Sequence, residues 1–208
     1  MPIVLEDIAE GFSRYFAHIN PEATAVSIAN LRRIHGGASR ETYLLTVSWA
    51  ELGTLHARDV CLRRDPPSSL IETSRSTEFD AYAAFHGTSV PVPAPLYLET
   101  EPNEWLERPF FVMEAITGCE SDARLFSQPP CCDHKDRIGE QMWGILGEIA
   151  KTDPRASGLA KKWPAPALDR CWSRELDYWE RVIDEDELEP QPVVRAAIRR
   201  LRREPPPG

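Results

Sequence analysis

Apolar residues fall at every second position through Tyr43, Leu45, Val47 and Trp49, a period that a strand with one buried face satisfies and a helix does not. A preceding apolar run through Val26, Ile28 and Leu31 is joined to it across His35-Gly36-Gly37-Ala38-Ser39, so the two segments read as a hairpin. A third strand covers Ala57 to Arg64 and stops at Asp65-Pro66-Pro67, because proline has no N–H to give to a ladder. Helical spacing brackets these strands. Before them, Val4, Leu5, Ile8, Phe12, Tyr15, Phe16 and Ile19 mark an amphipathic helix that ends near Asn20-Pro21; after them, Phe79, Tyr82, Ala83 and Phe85 mark a helix over Glu72 to Phe85, closed by Gly87. Pro91, Pro93 and Pro95 then hold the chain extended into a strand at Leu96 to Glu99, and Glu101-Pro102-Asn103 turns it into an apolar strand from Phe110 to Ile116.

From Asp133 onward the period is helical. Ile138, Met142, Ile145, Leu146 and Ile149 form one stripe, Trp172, Leu176, Trp179 and Ile183 a second, and Val193, Val194, Ala197, Ile198 and Leu201 a third. The expectation is an α+β protein. Residues 1–118 would form a helix and a five-stranded antiparallel sheet with one inserted helix, and residues 119–208 a set of helices. Charge narrows the partners: 33 acidic against 24 basic residues leave a net charge of −9, which repels nucleic-acid phosphates and anionic membranes. No apolar run approaches the roughly 20 residues that cross a bilayer, and Met1 to Phe16 is acidic and amphipathic, unlike a signal peptide, so the expected location is cytoplasmic. Five irregularly spaced cysteines fit reduced thiols. Cys131-Cys132-Asp133-His134 holds zinc-ligand chemistry, but no second ligand cluster accompanies it, and incidental cysteines at a helix start are the simpler reading.

Four features could carry chemistry, and each has a plain alternative. Glycines in Gly36-Gly37-Ala38-Ser39-Arg40 would let backbone amides approach phosphate oxygens, with Ser39 as donor and Arg40 as charge; a Gly-Gly hairpin is more often a tight turn. In Val60-Cys61-Leu62-Arg63-Arg64, alternation sends Leu62 to the core and Arg63 to the opposite face, unless both arginines are surface charges. Glu78, on the next helix, is placed to pair with Arg63 or simply to face solvent. The strand Phe111-Val112-Met113-Glu114-Ala115-Ile116, with Thr117-Gly118 beyond it, is either a core strand or a backbone edge for a ligand. In protein kinases the small lobe has this order of elements, a cation on its third strand, a glutamate on its inserted helix and a base-binding strand.

Taken together, Ile34-His35-Gly36-Gly37-Ala38-Ser39-Arg40-Glu41-Thr42-Tyr43, Val60-Cys61-Leu62-Arg63-Arg64-Asp65-Pro66, Glu78-Phe79, Val90-Pro91-Val92-Pro93 and Val112-Met113-Glu114 closely resemble the aminoglycoside phosphotransferase and choline kinase family. The branch it looks like carries arginine where Arg63 stands. The resemblance implies a kinase-like small lobe followed by an incomplete large lobe. It also implies transfer of the γ-phosphoryl of ATP or GTP, with Mg2+, to a hydroxyl of a small molecule. By the same resemblance Gly36, Gly37, Ala38, Ser39, Arg40, Arg63, Glu78, Met113, Glu114, Ala115 and Ile116 would hold the nucleotide.

The family's His-Gly-Asp loop, with an asparagine five residues beyond its aspartate, does not occur in the 208 residues. His134-Lys135-Asp136, with Gln141 at the asparagine position, imitates it inside a helical stripe and reads as a helix start. The expectation is therefore no catalytic or metal residue in this chain, a truncated gene or a fragment, and no turnover; the alternative is a non-catalytic nucleotide-binding or interaction module. The Trp172 stripe is expected to promote self-association. Arg195, Arg199, Arg200, Arg202 and Arg203 read as a solvated basic face.

Overall fold

The computed structural model describes residues 4–34, 41–66, 75–118, 126–164, 167–186 and 189–205. The chain divides into two compact units, Met1–Leu159 and Ala160–Gly208. Its elements are α1 (Leu5–Ile19), β1 (Thr24–Ile34), β2 (Glu41–Glu51), β3 (Thr54–Arg64), α2 (Arg75–Phe85), β4 (Pro95–Glu99), β5 (Phe110–Glu114), α3 (Lys135–Lys151), a short α4 (Leu159–Lys162), α5 (Cys171–Asp186) and α6 (Pro192–Arg203). The five strands form one antiparallel sheet in the order β1-β2-β3-β5-β4. The α+β architecture read from the period changes is the one observed.

One face of the sheet makes the core. Tyr43, Leu45 and Val47 of β2, Val60 and Leu62 of β3, and Phe110 and Val112 of β5 are all buried, and α1 lays Ile8, Phe12, Tyr15 and Phe16 on them. The fit is close enough that Gly11 cannot be anything larger: a Cβ there would lie 2.1 Å from the backbone oxygen of Trp105. Aromatic edges lock the layer, with Tyr15 against Phe110 at 4.9 Å and Phe16 against Trp49 at 5.0 Å between ring centroids. Asn20 closes α1, donating from both its backbone and its side-chain amide to Phe16 O at 3.0 Å.

The strands run further than alternation alone suggests at one hairpin and less far at the exit. β2 and β3 pair from Glu41↔Arg64 to Glu51↔Thr54 across Leu52 (φ 48) and Gly53 (φ 78). Two left-handed residues in succession are the two-residue turn that matches strand twist, and Leu52 gives no sequence warning of it. β5 ends at Glu114 instead of Ile116, although Ala115 N–H still reaches Asp59 O at 3.1 Å. The edge strand β1 is bent at Ala25 (φ 51) and Asn30 (φ 54), where its register to β2 shifts. Such bulges blunt an edge against pairing with another chain.

In the second unit, α6 buries Ile198 and meets the acidic side of α5. Arg195 pairs with Asp184 at 2.5 Å, and Arg202 with Asp177 at 2.8 Å and with Glu180. The basic face of α6 is therefore partly neutralised by α5 and is not simply solvated; helical periodicity cannot show which charges a neighbouring helix will offer. No helix among the described residues is long and apolar enough to cross a membrane.

Candidate functional site

The second face of the sheet carries the candidate residues of β3 and β5. Strand register groups its side chains into successive cross-strand sets: Thr42, Arg63 and Phe111; then Arg32, Leu44, Cys61 and Met113; then Thr46 and Asp59 beside Ala115. All of them alternate with the core residues of the same strands, so burying Leu62 and Val112 obliges Arg63 and Phe111 to point the other way.

Arg63 forms an ion pair with Glu78 of α2, the partnership expected from the sequence. It lies over the Phe111 ring, its guanidinium carbon 5.8 Å from the centroid. Its buried Nε makes no hydrogen bond among the described residues. Glu78 does not serve Arg63 alone. Its other oxygen lies 3.4 Å from Arg75, the first residue of α2, which is itself buried, places its guanidinium carbon 5.7 Å from the Phe111 centroid and contacts Asp65 at 2.6 Å. The Arg75–Asp65 contact is an ion pair with poor hydrogen-bond angles. Two arginines, two carboxylates and a phenyl ring thus tie the end of β3 to the start of α2, with Phe79 and Tyr82 closing around Phe111.

Sequence reasoning found Arg63 and Glu78 but missed Arg75 and Asp65, and it gave Arg64 nothing beyond the alternative that both arginines are surface charges. Arg64 is fully buried on the core face. It donates to Leu106 O at 2.7 Å and to Glu41 at 2.6 Å, and Glu41 also accepts from the Tyr43 hydroxyl at 3.3 Å and pairs with Arg33 at 3.5 Å. The signal was available: the alternation that turns Leu62 inward must turn Arg64 inward as well. Burial raises the Tyr43 hydroxyl's pKa, with the Glu41 charge adding to it. Burial likewise pushes the Cys61 thiol up to about 11, against the opposing pull of Arg63.

A pocket opens at the far end of this face from Arg63. Asn30, Arg32, Leu44, Thr46 and Asp59 line one side of it, and the chain leaving β5, residues 115–118, lines the other. Of the expected nucleotide residues, Ala115 and Ile116 line this pocket, Met113 is half-buried in the adjoining cross-strand set, and Glu114 is exposed, its N–H held by Ala94 O at 2.9 Å. Ile116 N–H makes no hydrogen bond among the described residues. Gly36, Gly37, Ala38, Ser39 and Arg40 lie outside the described residues, but Ile34 and Glu41, which flank them, end β1 and begin β2 on the same hairpin.

Among the described residues no group of three or more His, Cys, Asp or Glu is placed to hold a metal. Cys131, Cys132 and His134 lie in a 3-10 turn before α3, where the Cys132 thiol donates to its neighbour Asp133 at 3.3 Å. Lys135 and Asp136 open α3 itself, so His134-Lys135-Asp136 is a helix start.

A five-stranded antiparallel sheet, with a helix inserted between its third and fourth strands and a β3 cation paired to that helix, defines a kinase-like small lobe. The model of the phosphotransferase enzyme family matches residues 30–208, and the chain belongs to that family, the one its motifs resemble. Comparison with curated proteins found no match.

Proposed function

We propose that this chain binds a nucleoside triphosphate, ATP or GTP, on the second face of its sheet, as part of a small-molecule kinase that transfers the γ-phosphoryl to a hydroxyl acceptor. The observation that carries the reading is the Arg63–Glu78 pair. A carboxylate fixes the direction of the guanidinium, and a buried Nε is left to donate, which suits a phosphate oxygen. The amides of residues 36–40 would cradle the remaining phosphate oxygens, and the backbone of residues 114–116 would face the base. Membership of a phosphotransferase family supports this reading. Magnesium would enter with the phosphates; among the described residues no group of three or more His, Cys, Asp or Glu is placed to hold it.

Phosphoryl transfer also needs a carboxylate that orients the acceptor hydroxyl, a group worth about 10²–10⁴ in rate. The 208 residues hold no His-Gly-Asp loop to supply it. The outcome expected of these residues alone is therefore nucleotide binding without turnover. Titration of non-hydrolysable ATP and GTP analogues with Mg2+ tests the binding: Arg63→Ala should weaken it by about 10–100-fold, the loss of one or more charge-assisted hydrogen bonds. Equal affinity in the parent chain and Arg63→Ala would remove phosphate binding from Arg63, and phosphoryl transfer above background by the 208 residues would overturn the inactive reading.

A further inference from the structure

The pocket beside residues 115–118 carries a polar relay across three strands. Asn30 Nδ2 donates to Thr46 Oγ1 at 3.2 Å, and the Thr46 hydroxyl donates to Asp59 Oδ1 at 2.6 Å. The direction is set by chemistry, because an ionised carboxylate can only accept. One oxygen of Asp59 is thereby oriented, and the other makes no hydrogen bond or ion pair among the described residues. The bulge at Asn30, with its left-handed backbone, is what brings this amide opposite Thr46.

Position says what this carboxylate can meet. Asp59 lies four residues from Arg63 on the same face of β3, about 13 Å at 3.3 Å per residue, comparable to the reach of a nucleotide from its phosphates to the far edge of its base. It also accepts Ala115 N–H through its backbone oxygen, where the chain leaves the sheet. Resting on the nucleotide reading above, we infer that Asp59 is a base-selecting residue that makes this chain prefer GTP over ATP. Guanine presents a ring N–H and an exocyclic amine along one edge, two donors matched to a carboxylate. Adenine presents a ring-nitrogen lone pair and a C–H at the corresponding positions, and the lone pair is repelled. Thr46 and Asn30 position the carboxylate and do not touch the base.

Calorimetric titration of the 208-residue chain with non-hydrolysable GTP, ITP and ATP analogues tests this, alongside Asp59→Ala and Thr46→Val. Asp59 is exposed on the pocket rim, so its replacement leaves the core intact, which near-UV circular dichroism checks. The expected result is a GTP preference of about tenfold, the discrimination one well-formed pairing with a base edge provides. ITP, which lacks the exocyclic amine, should fall towards ATP; the GTP/ATP ratio should collapse towards one in Asp59→Ala and shrink in Thr46→Val. Equal binding of GTP and ATP by the parent chain, or a preference that survives Asp59→Ala, overturns the base-selecting role while leaving the nucleotide site standing. Failure of all three nucleotides to bind overturns the nucleotide reading and this role with it.

Discussion

Strand pleating turns the adjacent arginines of β3 to opposite faces, and their partners give them different work. Arg64 is buried with Glu41, and removing it takes away that buried carboxylate's closest charge partner, leaving it the Tyr43 hydroxyl and the more exposed Arg33. Arg64→Met should therefore lower unfolding free energy by about 3–5 kcal/mol, measured by chemical denaturation, whereas Arg63→Met should change stability much less and act on nucleotide affinity. A comparable loss in both variants would mean that the second face is as closed as the core. Between them in environment lies Cys61, whose thiol burial raises from 9.0 to about 11. The folded protein keeps this proton at pH values where the unfolded chain loses it. The thiol's contribution to stability is thus complete below about pH 9 and declines as pH rises towards 11. At pH 8 an alkylating reagent should label exposed Cys171 well before Cys61; equal labelling rates would contradict the burial. Arg63 and Glu78 were legible from spacing, whereas Arg75 and Asp65 were not, since only the return of α2 against β3 places them together.

At the scale of elements, α1 shows how packing overrides propensity. Alanine in place of a mid-helix glycine ordinarily stabilises a helix by about 1 kcal/mol. At Gly11, however, the added methyl would meet the Trp105 carbonyl, so α1 would have to lift from the sheet. Gly11→Ala should destabilise by about 1–3 kcal/mol net, and thermal unfolding with a raised midpoint would show that α1 is not seated as described. The helix itself was plain in the sequence from its apolar spacing, as were all five strands. What misled were ends: the Leu52-Gly53 turn extends β2 and β3 beyond their alternation, and β5 stops where its backbone leaves the ladder.

For the whole molecule, apolar surface is concentrated where the sequence placed helical stripes, though not on the stripe expected to dominate. On α5, Trp179 is exposed while Trp172, Leu176 and Ile183 are half-buried; on α3, Met142, Trp143 and Leu146 are exposed, Trp143 by 73%. Contiguous apolar surface drives association. Sedimentation should show concentration-dependent self-association that Trp143→Glu weakens; a monomer across the concentration range would exclude it. By itself the sequence determined the succession of strands and helices, the family, and the candidate cation and carboxylate, because hydrophobic period and local motifs are properties of neighbouring residues. Tertiary structure alone decided that Glu78 is shared by two arginines, that Arg64 finds Glu41 and the Leu106 carbonyl as partners, and that Asn30, Thr46 and Asp59 form one relay. Those are contacts between residues far apart in the chain, and strand register and helix docking are what bring them within bonding distance.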